Sequence, residues 1–228
     1  MMTRSIEVRW FVRGDLELEL ARWFGGGALP AWSDEGVRRS DEYLLIPGHD
    51  EVGYRIPGPV PEGRRRAAPE PFEFQERRAW LGPVRVGVGA GGVVGHLEEW
   101  LRWSSEESRP EDWNALPADS ARRVPITRRR ARRWYGVGGV NGPFVPLEAG
   151  DDAPRRAVAE LELVTVDTRR GPVPCWSLGV AAVGDVEDEL LMSTARGFAR
   201  DFLAGCPRRL HLADSYSYPA WLGRLANA

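Results

Sequence analysis

The chain has 228 residues, a 43% apolar share that includes ten tryptophans, and a formal net charge of −2. That length and apolar content favour one packed domain over residues 1–228 and exclude a disordered chain. The near-neutral charge excludes the bulk attraction that nucleic acids and anionic membranes exert. All 31 basic residues are arginine, so Schiff-base lysine chemistry and the lysine-dependent phosphate loop are excluded, and any cationic site is built from guanidinium forks. Cys175 and Cys206 lie far apart and form neither a metal-spaced pair nor a disulfide framework. The N-terminal MMTRSIEVRW holds no signal-type apolar segment, and no run approaches the roughly 20 apolar residues of a membrane span. The expectation is a cytoplasmic protein without membrane or nucleic-acid partners.

In chain order, Ser5, Glu7 and Arg9 alternate with Ile6, Val8 and Trp10, the signature of a strand with one ionic and one apolar face. Asp15 is placed to cap a short helix over 16–24, stopped by Gly25-Gly26-Gly27. Residues 42–46 and 52–56 read as a hairpin around Gly48-His49-Asp50. Residues 57–71, with the run Arg64-Arg65-Arg66, read as a loop with a solvated tip. Strands are predicted at 72–78 and 84–88. Residues 93–104 fit two periods at once: Val93, Val94, Leu97, Trp100 and Leu101 suit a helix face, while His96, Glu98, Trp100 and Arg102 suit one face of a strand. A polar loop at 104–120 precedes an arginine-rich element over 124–135, and 136–150 reads as a glycine-rich flexible connection. Residues 158–168 and 174–183 read as two strands joined at Thr168-Arg169-Arg170-Gly171, with Glu160 and Glu162 alternating against Leu161 and Leu163. The last long element, 186–203, is helical by the spacing of Leu190, Leu191, Ala195, Phe198 and Phe202, with Gly205 as its stop. The fold class is therefore α+β, mainly an antiparallel sheet of about eight strands that closes or nearly closes, with a few flanking helices. An interior of that size holds side chains or one small ligand.

The ordered set of ionic strands resembles the CYTH superfamily, the triphosphate tunnel metalloenzymes. Their N-terminal strand follows Glu-x-Glu-x-Lys, where this chain has Ser5-Ile6-Glu7-Val8-Arg9. Gly53-Tyr54-Arg55 and Phe72-Glu73-Phe74-Gln75-Glu76-Arg77 resemble the next two tunnel strands, and Ala159-Glu160-Leu161-Glu162-Leu163 resembles the late Glu-x-Glu strand. The resemblance implies an eight-stranded barrel with a tunnel, a phosphorylated anion or nucleotide held by Arg9, Arg55, Arg77 and Arg130, and a divalent ion, Mg2+ or Mn2+, held by Glu7, Glu160 and Glu162. The chain departs from the pattern at Ser5, and Ser177, Gly179 and Ala181 supply no acid on the strand that follows the late Glu-x-Glu. Three readings stay open: metal-dependent triphosphate hydrolysis, anion or nucleotide binding by a degenerate, non-catalytic barrel, or an interaction module, which a barrel interior plugged by aromatic side chains would favour.

Three other features carry alternative readings. Gly87-Val88-Gly89-Ala90-Gly91-Gly92 contains G-x-G-x-x-G, but no ribose-binding acid on a second strand follows about 20 residues on, so a glycine-rich hairpin turn is the preferred reading. His49, His96 and His211 are isolated from one another and suggest neither a triad nor a zinc set. The aromatic tail over 214–222 is expected to pack as a cap on one end of the barrel.

Overall fold

The computed structural model describes residues 2–32, 39–46, 48–57, 72–86, 93–105, 122–138, 142–148 and 155–227. Among the described residues nine strands form one antiparallel sheet: β1 (Met2–Arg13), β2 (Arg39–Leu45), β3 (Val52–Pro57), β4 (Phe72–Val86), β5 (Val93–Ser105), β6 (Arg122–Val137), β7 (Phe144–Pro146), β8 (Arg155–Thr168) and β9 (Gly171–Gly184). Their order is β2-β3-β4-β5-β1-β9-β8-β6-β7, and a further β2–β6 pairing joins the ends into an eight-stranded ring with β7 outside it. Closure removes the free edges that an open sheet of this length would expose.

The period of two along each strand separates two environments. Ile6, Val8 and Trp10 of β1, Ala159 and Leu161 of β8, and Trp176, Leu178 and Val180 of β9 face outward into the main apolar core. Two helices cover that surface, α1 (Leu18–Phe24) and α2 (Asp188–Leu203). Leu191, Ala195, Phe198, Ala199 and Leu203 of α2 are buried at helical spacing against it. Burying each large side chain there contributes about 1.5–3 kcal/mol. Gly95 of β5 permits a close approach, because a Cβ at that position would lie 2.4 Å from Cζ2 of the fully buried Trp10.

Inside the ring one end is apolar. Phe11, Tyr43, Leu45, Val124, Ile126, Val164, Val166 and Cys175 enclose Tyr218, Trp221, Leu222 and Leu225 of the C-terminal helix α3 (Tyr218–Asn227). Trp221 stacks on Phe11 at 4.2 Å between centroids, and Tyr218 stacks on Tyr43 at 5.1 Å. The aromatic tail thus caps one end of the barrel, as its composition predicts.

Several local expectations change. Residues 93–105 form a strand, because β1 and β4 pair with its two edges; the apolar Val93 and Leu97 face the outer core while Glu98 and Arg102 face inward. The two strands predicted at 72–78 and 84–88 are one, β4, which absorbs Gly82 (φ +83°) and Pro83 through register shifts between Arg77 and Ala79 and between Trp80 and Pro83. Phe144–Pro146, inside the predicted flexible connection, pairs with β6. Helix α1 begins at Leu18 with Glu17 at its N-cap and no side-chain cap, so Asp15 does not cap it. Gly205 lies beyond the right-handed Ala204 and has no positive φ. The glycine run 87–92, the arginine run 64–66 and most of the loop 104–120 lie outside the described residues.

Candidate functional site

The antiparallel register lines up inward-facing residues in rows across β6, β8, β9 and β1. One row is Arg132, Glu160, Gly179 and Arg9; the next toward the capped end is Arg130, Glu162, Ser177 and Phe11. The row toward the open mouth is Trp134, Val158, Ala181 and Glu7. The first and third of these rows, with Arg130 of the second, line a cavity of about 200 Å³ whose lining also includes Arg55, Arg102 and Arg128.

Glu160 and Glu162 are enclosed by guanidinium groups. Arg9 bridges both, with Nη2 2.5 Å from Glu160 Oε1 and Nη1 3.0 Å from Glu162 Oε2. Arg130 Nε also contacts both, at 3.0 Å and 2.7 Å. Arg132 Nε lies 2.6 Å from Glu160 Oε2, and Arg128 Nη1 lies 3.3 Å from Glu162 Oε1. Ser177 Oγ donates to Glu162 Oε2 at 3.1 Å, and the Tyr218 hydroxyl donates to the same oxygen at 2.5 Å. Arg128 and Arg55 share Asp41, at 2.7 Å and 3.2 Å. Nearer the mouth, Arg102 donates to Glu7 Oε2 at 2.6 Å and to Ser5 Oγ at 2.7 Å.

Burial and the neighbouring Glu160 push the Glu162 carboxyl pKa up, but Arg130, Arg9 and Arg128 outweigh them and hold it down to about 2. Glu160 is likewise held well below the carboxylate range by Arg130, Arg132 and Arg9 against its own burial. Both are anions at any physiological pH. For the Tyr218 hydroxyl, burial and the Glu162 charge act in the same direction and raise its pKa well above the ordinary value. It stays a neutral donor. Among the described residues six guanidinium groups (Arg9, Arg55, Arg102, Arg128, Arg130, Arg132) meet four carboxylates (Glu7, Asp41, Glu160, Glu162) in this cluster.

Five of the seven residues singled out from the sequence converge here: Arg9, Arg130, Glu160 and Glu162 in the ion-paired centre, and Arg55 beside Asp41. Glu7 lines the cavity from the mouth side, held by Arg102. Arg77 does not line it; its guanidinium pairs with Glu98 at 3.0 Å and lies 5.3 Å from the Trp80 ring centroid. Sequence reasoning missed Arg128 and Arg132, although their alternation with Arg130 along one strand carried the signal. It also missed Asp41, Arg102 and Tyr218, whose placement depends on strand pairing and on the packing of α3.

The donor set does not match a hard divalent ion. Such ions need several carboxylate oxygens free to coordinate, whereas all four oxygens of Glu160 and Glu162 accept from guanidinium groups. Among the described residues no cluster of three or more His, Cys, Asp or Glu could hold a metal ion.

Fold and site together define a class: a closed antiparallel barrel, capped at one end by its own C-terminal helix, with an arginine-rich ionic cavity at the other. No protein-family model matches the sequence, and no curated protein matches it. Among solved structures, the chain is similar to the protein HpAC1 of Hippeastrum, described as having a dominant triphosphatase activity. The match covers 92% of this chain and 90% of that one at 12% identity, with a TM-score of 0.31. So loose an overlap carries neither a family nor a functional assignment. Among the described residues no helix is long and apolar enough to cross a membrane.

Proposed function

We propose that this barrel binds a small phosphorylated anion in its arginine-lined cavity. The observation that carries the reading is the surplus of guanidinium over carboxylate among the described residues of the cavity wall. Guanidinium forks match phosphate oxygens in geometry and in charge, and a partly desolvated site strengthens the contact. Arg9, Arg130 and Arg132 are the central contacts, with Arg102 and Arg55 at the flanks. The anion enters from the mouth, since α3 fills the other end.

Binding without turnover is the favoured form of this reading. Hydrolysis of a triphosphate needs an activated water and usually a divalent ion to neutralise developing charge. Here the strand facing the late Glu-x-Glu places Ser177, Gly179 and Ala181 opposite Glu162, Glu160 and Val158, and none is an acid. Trp134, Val158 and Ala181 form an apolar shelf one row above the guanidinium groups. An organic phosphate, such as a nucleotide, could lay its ring there while its phosphates reach Arg132 and Arg9.

Two measurements test the reading. Isothermal titration with tripolyphosphate and ATP should give saturable binding to one site per chain. Phosphate release from either compound, assayed with Mg2+ and with Mn2+ at high protein concentration, should stay at background. Absence of binding by both compounds would remove the reading, and metal-dependent release would turn it into that of a phosphohydrolase.

A further inference from the structure

Resting on the binding reading above, we infer that the cavity holds its anion by guanidinium groups alone, and that its ligand is the free polyanion and not a divalent-metal complex. The glutamates here order the arginines. Arg9 and Arg130 each touch both Glu160 and Glu162, so the two carboxylates hold the two guanidinium groups on one wall. Arg132 and Arg128 are fixed by the outer oxygens of the same pair. A metal ion entering this wall would have to displace arginines from buried carboxylates; Glu162 has no exposed side-chain surface, and the Glu160 side chain is 9% exposed.

The charge balance points the same way. Four guanidinium groups, Arg9, Arg128, Arg130 and Arg132, face Glu160 and Glu162, so a divalent cation arriving with the ligand is repelled, whereas an uncomplexed polyanion is attracted. Ser5 and Glu7, near the mouth, are both tied to Arg102. The strand start that resembles a metal-binding motif therefore serves here to orient a further guanidinium.

The experiment is a calorimetric titration of the full chain with tripolyphosphate at fixed ionic strength, once in EDTA and once in saturating Mg2+. The expected result is binding in EDTA, with affinity about tenfold weaker or at best unchanged in Mg2+, because the metal complex carries less charge. Binding that appears only in Mg2+, or tightens in it, overturns the inference and leaves the binding reading intact. Absence of binding in both conditions overturns both. A second arm repeats both conditions with Glu160→Gln and Glu7→Gln. If the carboxylates order arginines and hold no metal, each folded variant changes affinity by the same factor in EDTA and in Mg2+; a loss confined to Mg2+ contradicts the inference. Glu7 stands at the mouth, so Glu7→Gln decides the point should Glu160→Gln fail to fold.

Discussion

Arg9 reaches Glu160 by lying across Gly179. The two residues are register partners on β1 and β9, and a Cβ built on Gly179 would sit 2.9 Å from Arg9 Cζ. Glycine at this point lets a guanidinium from β1 pass over β9 and pair with carboxylates on β8. Gly179→Ala should therefore push Arg9 off both glutamates. Overpacking of this kind costs about 1–3 kcal/mol, and urea unfolding should show a loss in that range. Titration with tripolyphosphate should show a parallel drop in affinity. A variant that loses stability but keeps full affinity would mean that Arg9 is not a binding group.

The Tyr218 hydroxyl is the contact through which the cap meets the ionic centre. Tyr218→Phe keeps the ring stacked on Tyr43 and removes only the donor to Glu162. A hydrogen bond to a buried charged group contributes about 1.5–3 kcal/mol. Denaturation should register a loss of that size with the circular dichroism spectrum unchanged.

Acid should unfold the protein through the Glu160–Glu162 pair. The Glu162 carboxyl is held at about 2 in the fold against an ordinary 4.5, and Glu160 is lowered in the same direction. A folded-state pKa below the unfolded one gives stability that is fully present above pH 4.5 and is lost as the pH falls toward 2. Urea midpoints measured at descending pH should stay level above that window and fall steeply through it. A level profile down to pH 2 would contradict the ion-paired centre.

Trp134 tests whether the ligand carries a ring. Stacking of a base on an aromatic side chain is worth about 1–3 kcal/mol. Trp134→Ala should weaken ATP binding about tenfold or more and leave tripolyphosphate binding nearly unchanged. Equal losses for both ligands would make Trp134 a packing residue that holds the nearby Arg132 and Arg156, whose guanidinium carbons lie 6.0 Å and 5.4 Å from its ring centroid.

Much of this architecture was legible because strands announce themselves by alternation. Ser5, Glu7 and Arg9 against Ile6, Val8 and Trp10 is a local pattern, and so is Glu160 and Glu162 against Leu161 and Leu163; each face follows from backbone geometry alone. The arginine ladder Arg128, Arg130, Arg132 was equally local, yet two of its three members were passed over because Arg129 and Arg133 between them blur the period. Residues 93–105 were ambiguous for the opposite reason. Val93, Leu97 and Trp100 satisfy a helical spacing, and only the pairing of both edges, to β1 and β4, selects the strand.

The sequence by itself determined which residues could share a face, that all cationic chemistry would be guanidinium chemistry, and that an aromatic tail needed apolar surface to cover. Tertiary structure decided which faces meet. Arg9 and Glu162 are 153 positions apart, and no local rule relates them. Ring closure through β2 and β6, the register across β8 and β9, and the seating of α3 bring them together. That meeting makes Glu160 and Glu162 partners of arginines, because a carboxylate's role depends on which charge stands opposite it in the low-dielectric interior.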